Sequence, residues 1–269
     1  MTNLRSDNYL PSAQGLDGVL LLTMNDPNRR NALSEAMLEA LSGAFDRASQ
    51  DPEVRVIVLA ATGPVFCAGH DLKEITAVRQ NADRGRAYFT HILNQCSSVM
   101  QKIVTCPKPV IAEINGVATA AGCQLVASCD LAVASDIAQF CTPGVHIGLF
   151  CSTPMVALSR NLSNKHAMEM LLTGDMVPAS RAAEMGLVNK VVPSIELRAA
   201  SMALAGKIAA KSSLTVTTGK RAFYQQKEMH LAAAYNYASK IMVENMLARD
   251  AEEGIAAFIE KRAPDWRDE

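Results

Sequence analysis

The sequence predicts an α/β domain followed by a helical C-terminal region. Two observations carry this. The order strand, turn of small residues, helix, strand recurs over the first two thirds of the chain, as α/β units built in series require. After Val192 strand signals nearly vanish, and segments of helical spacing fill the rest. The chain therefore divides into an α/β core over 1–195 and a helical region over 196–269.

The elements follow in order. Residues 1–8 are polar and read as loose. Residues 18–24 (GVLLLTM) make a short β-type run, and DPNRRN at 26–31 is a turn. Met37, Leu38, Leu41, Phe45 and Ala48 then share one helical face, with Ser34 placed to cap it and Asp51-Pro52 to end it. Residues 54–59 (VRVIVL) are apolar almost throughout, as in a strand buried on both faces. A helix is expected over 88–104, closed by Pro107 and Pro109, then a strand over 110–114 and short strands over 131–134 and 139–141. Pro178 and Gly186 bracket a short helix. Helices are expected over 194–211, 214–227, 231–247 and 251–261, and small residues such as Ala232–Ala234 allow close helix packing.

Composition narrows the function. The chain has 269 residues, 26 basic and 27 acidic side chains, and a net charge of -1. A protein that neutralises nucleic-acid phosphates needs a basic surplus or stripe, so no nucleic-acid partner is expected. A polybasic membrane-surface binder is excluded on the same ground. No apolar run reaches the roughly 20 residues that span a bilayer. The seven cysteines are odd in number and sit mostly in apolar runs, and no secretory leader is visible, which points to a reducing compartment. The expected location is cytoplasmic, or the mitochondrial matrix in a eukaryotic source, although no transit peptide is seen.

Two segments have the build of a binding site. In one, residues 54–59 lead into GPVFCAGHDLKE; in the other, residues 110–114 lead into NGVATAAGC. Small residues leave backbone N–H groups uncovered near a helix start, where negative charge is favoured. Two such groups converging on one oxygen would form an oxyanion hole. The alternative is tight strand-to-helix packing. Neither segment has the spacing of a dinucleotide or phosphate loop.

Four stretches together carry a resemblance: RRNALS at 29–34, GPVFCAGHDLKE at 63–74, PVIAEINGVATAAGCQLVASCDLAVAS at 109–135 and EGIAAFIEKRAPDW at 253–266. In this order they resemble the crotonase (enoyl-CoA hydratase/isomerase) superfamily over nearly the whole chain. The resemblance implies a crotonase-like fold of repeated ββα units with a helical C-terminal region that assembles trimers or hexamers. It implies an acyl-coenzyme A thioester as the small-molecule partner, with no separate cofactor. By the same resemblance, the N–H groups of His70 and Ala121 hold the thioester oxygen. Ala68 and Lys73 lie on the coenzyme A path, and Phe258 and Lys261 complete that site, in many members from a neighbouring region or subunit. Arg30 is a candidate phosphate contact, with a solvated surface charge as the alternative.

The pattern breaks at the acid–base groups. Family hydratases carry two glutamates at positions that are Gln124 and Gly144 here. A carboxamide can hold water but cannot take its proton, and glycine offers no side chain. Ser152 stands near where some isomerase relatives carry an aspartate. Cys151, His146 and the imidazole of His70 are other groups in these segments, each readable as packing. Asp71 reads as a helix cap and Glu113 as structural, and Cys67 with His70 is too few ligands for zinc. Ser128 lies near the second turn without a placed base, so peptidase chemistry has no support. Two functions stay open: an acyl-CoA enzyme, whether hydratase, isomerase, decarboxylase or thioesterase, and a non-catalytic acyl-CoA-binding or assembly protein.

Overall fold

A computed structural model describes residues 9–269; the expectation for residues 1–8 lies outside the described residues. Two sheets form the frame. The larger holds β1 (Ser12–Gln14), β2 (Val19–Met24) and β3 (Val56–Ala61), while β4 (Val65–Cys67) starts the smaller. β5 (Val110–Ile114), β7 (Leu131–Ser135) and β10 (Lys190–Val192) complete the larger sheet, and β6 (Val117–Thr119), β8 (Gln139–Cys141) and β9 (Val177–Pro178) the smaller. Their orders are β1-β2-β3-β5-β7-β10 and β4-β6-β8-β9. The pairs β1–β2 and β8–β9 are antiparallel, and all others are parallel.

Alternation along the central strands explains their unbroken apolar sequence. Ile57 and Leu59 point into the main core, while Val56 and Val58 point into a second core on the opposite face. Likewise Val110, Ala112 and Ile114 face one side and Ile111 the other. A strand covered on both faces has no polar side to show.

The helices are α1 (Glu35–Gln50), α2 (Leu72–Ala77), α3 (Arg86–Thr105), α4 (Ala121–Ser128), α5 (Ser152–Leu158), α6 (Asn164–Thr173) and α7 (Ala179–Met185). Then come α8 (Leu197–Ala209), α9 (Ser213–Gln226), α10 (Leu231–Leu247) and α11 (Arg249–Glu260). Ser34 caps α1 by accepting from the Met37 N–H at 3.3 Å, and the five expected apolar side chains of that helix are buried. Among the described residues no helix is long and apolar enough to cross a membrane.

Three details differ from the sequence reading. The segment expected as one helix over 194–211 is a 3₁₀ turn, Ser194–Glu196, and then α8. That helix buries Leu197, Ala205 and Ala209 in the second core, so the first helix of the 196–269 segment is part of the sheet's cover. Pro178 is the cap of α7 rather than its first residue: its backbone is extended and it pairs with Gln139 in β9.

Candidate active site

Each of the two glycine-bearing segments folds as strand, short strand, turn and helix. β4 is inserted between β3 and α2, and β6 between β5 and α4. The two short strands pair in parallel, which brings the two turns together. Glycine makes that approach possible. A Cβ on Gly116 would lie 2.0 Å from the Pro64 carbonyl oxygen, and one on Gly69 would lie 3.2 Å from the Ala121 nitrogen. The Thr119 hydroxyl donates to the Ala68 carbonyl at 2.9 Å and ties one turn to the other.

The backbone at the second turn is strained. Ala120 has φ 50° and ψ -117°, a conformation that a residue with a side chain rarely adopts. Strain of this kind costs about 1–3 kcal/mol and persists only where surrounding structure imposes it. The Ala120 N–H is held by the Cys141 carbonyl at 2.9 Å, and the turn leaves Ala121 as the first residue of α4. At the first turn the Leu33 N–H donates to the Gly69 carbonyl at 2.8 Å, in a parallel bridge between Leu33 and His70. Among the described residues, neither the His70 N–H nor the Ala121 N–H donates to a protein acceptor.

Both turns open into a cavity of about 940 Å³. His70, Ala68, Lys73, Arg30, Ala121, Gly144 and Ser152 all line it, as do Cys151 and His146. Arg29 and Arg79, which the sequence reading missed, join Arg30 and Lys73 as cationic lining residues. Arg29 is held by Asp26 at 2.8 Å and Asp71 at 3.0 Å, and these partners raise its pKa. Arg79 lies 5.5 Å from the centre of the Phe89 ring. The apolar lining residues include Ile75, Phe89, Ile92, Leu149 and Phe150.

Three expected members are not at this cavity. Gln124 sits in α4 but does not line it; the side chain is 4% exposed and its Oε1 has no partner. Phe258 and Lys261 are not among its lining residues, and Phe258 is 86% exposed on the last helix. A single chain thus has no use for them at the cavity.

Among the described residues that line the cavity, no carboxylate is free. Asp71 lines the cavity but caps α2, accepting from the Lys73 N–H at 2.8 Å and pairing with Arg29. Glu113 is buried on the far face of the sheet, bound by Arg198 at 2.9 Å. The Ser128 hydroxyl donates to the Gln124 carbonyl at 2.8 Å and has no base beside it. His146 has Nε2 2.8 Å from the Thr173 carbonyl. Gly144 has no room for a side chain: its Cβ would lie 2.9 Å from both Cys151 Sγ and the Leu149 carbonyl oxygen.

Two abutting turns thus open on one cavity whose lining includes four cationic side chains and several apolar ones. The enoyl-CoA hydratase/isomerase family model matches residues 14–269. The chain belongs to this family. Among similar members, the mitochondrial enoyl-CoA hydratase domain-containing protein 3 of Rattus norvegicus is 48% identical over 261 residues, covering 97% of this chain and 85% of that protein. A crystal structure of an enoyl-CoA hydratase from Mycobacterium smegmatis is 49% identical with a TM-score of 0.91, covering 96% and 98% of the two chains. The human enoyl-CoA hydratase domain-containing protein 3 structure is 46% identical with a TM-score of 0.90, covering 96% and 100%. The crotonase fold, an α/β architecture, is therefore that of this enoyl-CoA hydratase/isomerase family member.

Proposed function

We propose that the protein binds a fatty acyl-CoA thioester and polarises its carbonyl between the N–H groups of His70 and Ala121. The observation that carries this reading is the pair of uncommitted N–H groups at two abutting turns, opening on one cavity. Donors fixed before the reaction cost no reorganisation when charge develops on the oxygen, and each is worth about 10²–10³ in rate. Arg30 and Lys73 supply positive charge for the coenzyme A phosphates, and the apolar lining residues take the acyl chain. No further cofactor is called for.

In this reading hydration is weak. Adding water needs a base for the water and an acid for the α-carbon, and such groups contribute about 10²–10⁴-fold each. Gln124 and Gly144 supply neither. The absence of a free carboxylate among the described lining residues also favours a second reading, a non-catalytic acyl-CoA-binding or assembly protein. Exposed apolar residues on α10 and α11, among them Met246, Leu247, Phe258 and Ile259, support self-association to a trimer or hexamer.

A panel of saturated and enoyl-CoA thioesters, followed by mass spectrometry with calorimetry alongside, tests the proposal. Binding with a change of product mass or isomer supports an enzyme. Binding without change supports the binder, and no binding by any thioester contradicts both.

A further inference from the structure

Arg79 differs from the other cationic residues of the cavity in what surrounds it. Arg29 is held by Asp26 and Asp71. Arg30 and Lys73 belong to the segments around the two turns: the Arg30 carbonyl accepts from the Ala68 N–H at 3.1 Å, and Lys73 lies three residues after His70. Arg79 lies further along, in a 3₁₀ turn (Val78–Gln80) that continues α2. It follows Ile75 by four residues, so the two share a helical face. Its guanidinium carbon is 5.5 Å from the centre of the Phe89 ring. Ile75, Phe89 and Ile92 line the cavity together with it.

The arginine is held there but not neutralised. Phe89 is a fixed platform: a Cβ on Gly85 would lie 2.8 Å from Phe89 Cζ and 2.9 Å from Val78 Cγ2, so the ring is seated where glycine leaves room for it. Stacking on a ring orients a guanidinium and leaves its N–H edge open to an acceptor. Among the described residues, no hydrogen bond or ion pair ties Arg79 to a protein acceptor. The carboxylates nearest to it in the chain are committed elsewhere. Glu74 accepts from the Tyr88 hydroxyl and the Glu35 N–H, each at 3.1 Å, and Asp83 accepts from the N–H groups of Gly85 and Ala87 at 2.9 and 2.8 Å.

We propose that Arg79 binds a carboxylate at the far end of the acyl chain, so that the preferred ligand is the coenzyme A thioester of a dicarboxylic acid. The inference rests on the acyl-CoA reading of the same cavity. In that reading the chain runs from the carbonyl at the turns along the apolar lining residues, and Arg79 is a cation standing among them. An unsubstituted chain passing there would cover part of the guanidinium and give its donors no acceptor. A carboxylate presents two oxygens to the planar fork and forms a charge-assisted pair of bonds. Arg79 is exposed, so the terminal carboxylate keeps part of its hydration and the pair escapes the full cost of burying two charges.

The test is calorimetry on the full chain with suberyl-CoA, octanoyl-CoA and free coenzyme A, repeated with adipyl-CoA and hexanoyl-CoA for a shorter chain. The native protein is expected to bind at least one dicarboxylic thioester about 10-fold or more tighter than its unsubstituted counterpart, the low end for hydrogen bonds to a charged group. Arg79→Met, which keeps an unbranched apolar stem, is expected to remove that preference, and Arg79→Lys to keep part of it. Arg79→Gln gives the same reading should Arg79→Met not fold. A native protein that binds the unsubstituted thioester at least as tightly at both lengths overturns the proposal and leaves the acyl-CoA reading standing. So does a preference that survives in Arg79→Met. A folded Arg79→Met that loses affinity for every thioester and for free coenzyme A by one common factor places the arginine on the phosphates and likewise overturns it. If none of the thioesters binds, the acyl-CoA reading itself fails and takes the proposal with it.

Discussion

Gly122 stands so close to Cys67 that a Cβ at Gly122 would lie 2.2 Å from the Cys67 carbonyl oxygen. The first turn of α4 is thereby seated on the end of β4, and the Ala121 N–H is fixed relative to His70. Gly122→Ala must push the two apart. It is expected to destabilise the fold by about 1–3 kcal/mol, as overpacking does, and to weaken acyl-CoA binding. Thermal melts and calorimetry check both effects, and native values in both contradict this seating.

Ala120 is the complementary case. Its φ of 50° is strained for a side chain but open to glycine. Ala120→Gly is expected to stabilise the protein, because relief of about 1–3 kcal/mol exceeds the roughly 0.4–1 kcal/mol of added freedom in the unfolded chain. A lower Tm in the variant argues against strain at this turn.

Restoring glutamate at position 144 is not expected to restore hydration. The Cβ would meet the Leu149 carbonyl and Cys151 Sγ, so the loop must move before a carboxylate can be placed. Gly144→Glu, alone or with Gln124→Glu, is predicted to lower Tm and to leave crotonyl-CoA unhydrated. A gain of hydration in the double variant would show that the loop adapts freely.

The C-terminal tail gives a pH prediction. Burial favours the neutral form of Asp250, but hydrogen bonds from the Arg267 N–H, the Ser212 hydroxyl and the Asp268 N–H outweigh it and hold the carboxyl below its usual range. A depressed folded pKa contributes stability that is complete above the unfolded value of about 3.9 and is lost as pH falls through the folded value. Asp250→Asn is therefore expected to cost about 1–3 kcal/mol near neutrality, with the gap to native closing below about pH 4. Melting temperature against pH reads this directly, and a gap that stays constant contradicts it.

The cysteines should be silent in the native state. All seven are free and buried, and burial raises Cys67 and Cys96 to about 12 and Cys141 to about 11. The thiolate is the reactive form. A disulfide reagent at pH 8 should label them slowly in the folded protein and rapidly in denaturant.

The sequence makes the long, regular elements legible and the short ones not. The spacing of Met37, Leu38, Leu41 and Phe45, with Ser34 as cap, finds α1, and the two-sided apolar run finds β3. β4 and β6 have three residues each, too few for any alternation to register. Yet their pairing is what brings the two turns together. The His70 and Ala121 positions come from motif resemblance, and Arg29 and Arg79 from structure alone, since a surface arginine and a cavity arginine look the same in sequence. The burial of Gln124 away from the cavity is likewise invisible, because α4 is apolar or small on every side and shows no face.

The central claim is a built oxyanion site without carboxylates to move protons for hydration. Steady-state hydration of crotonyl-CoA, with calorimetric binding of the same thioester, tests it most directly. The account predicts binding with a turnover below about 0.1 s⁻¹, at least one acid–base factor of about 10² under the typical enzyme value of about 10 s⁻¹. A turnover at or above about 10 s⁻¹ contradicts it.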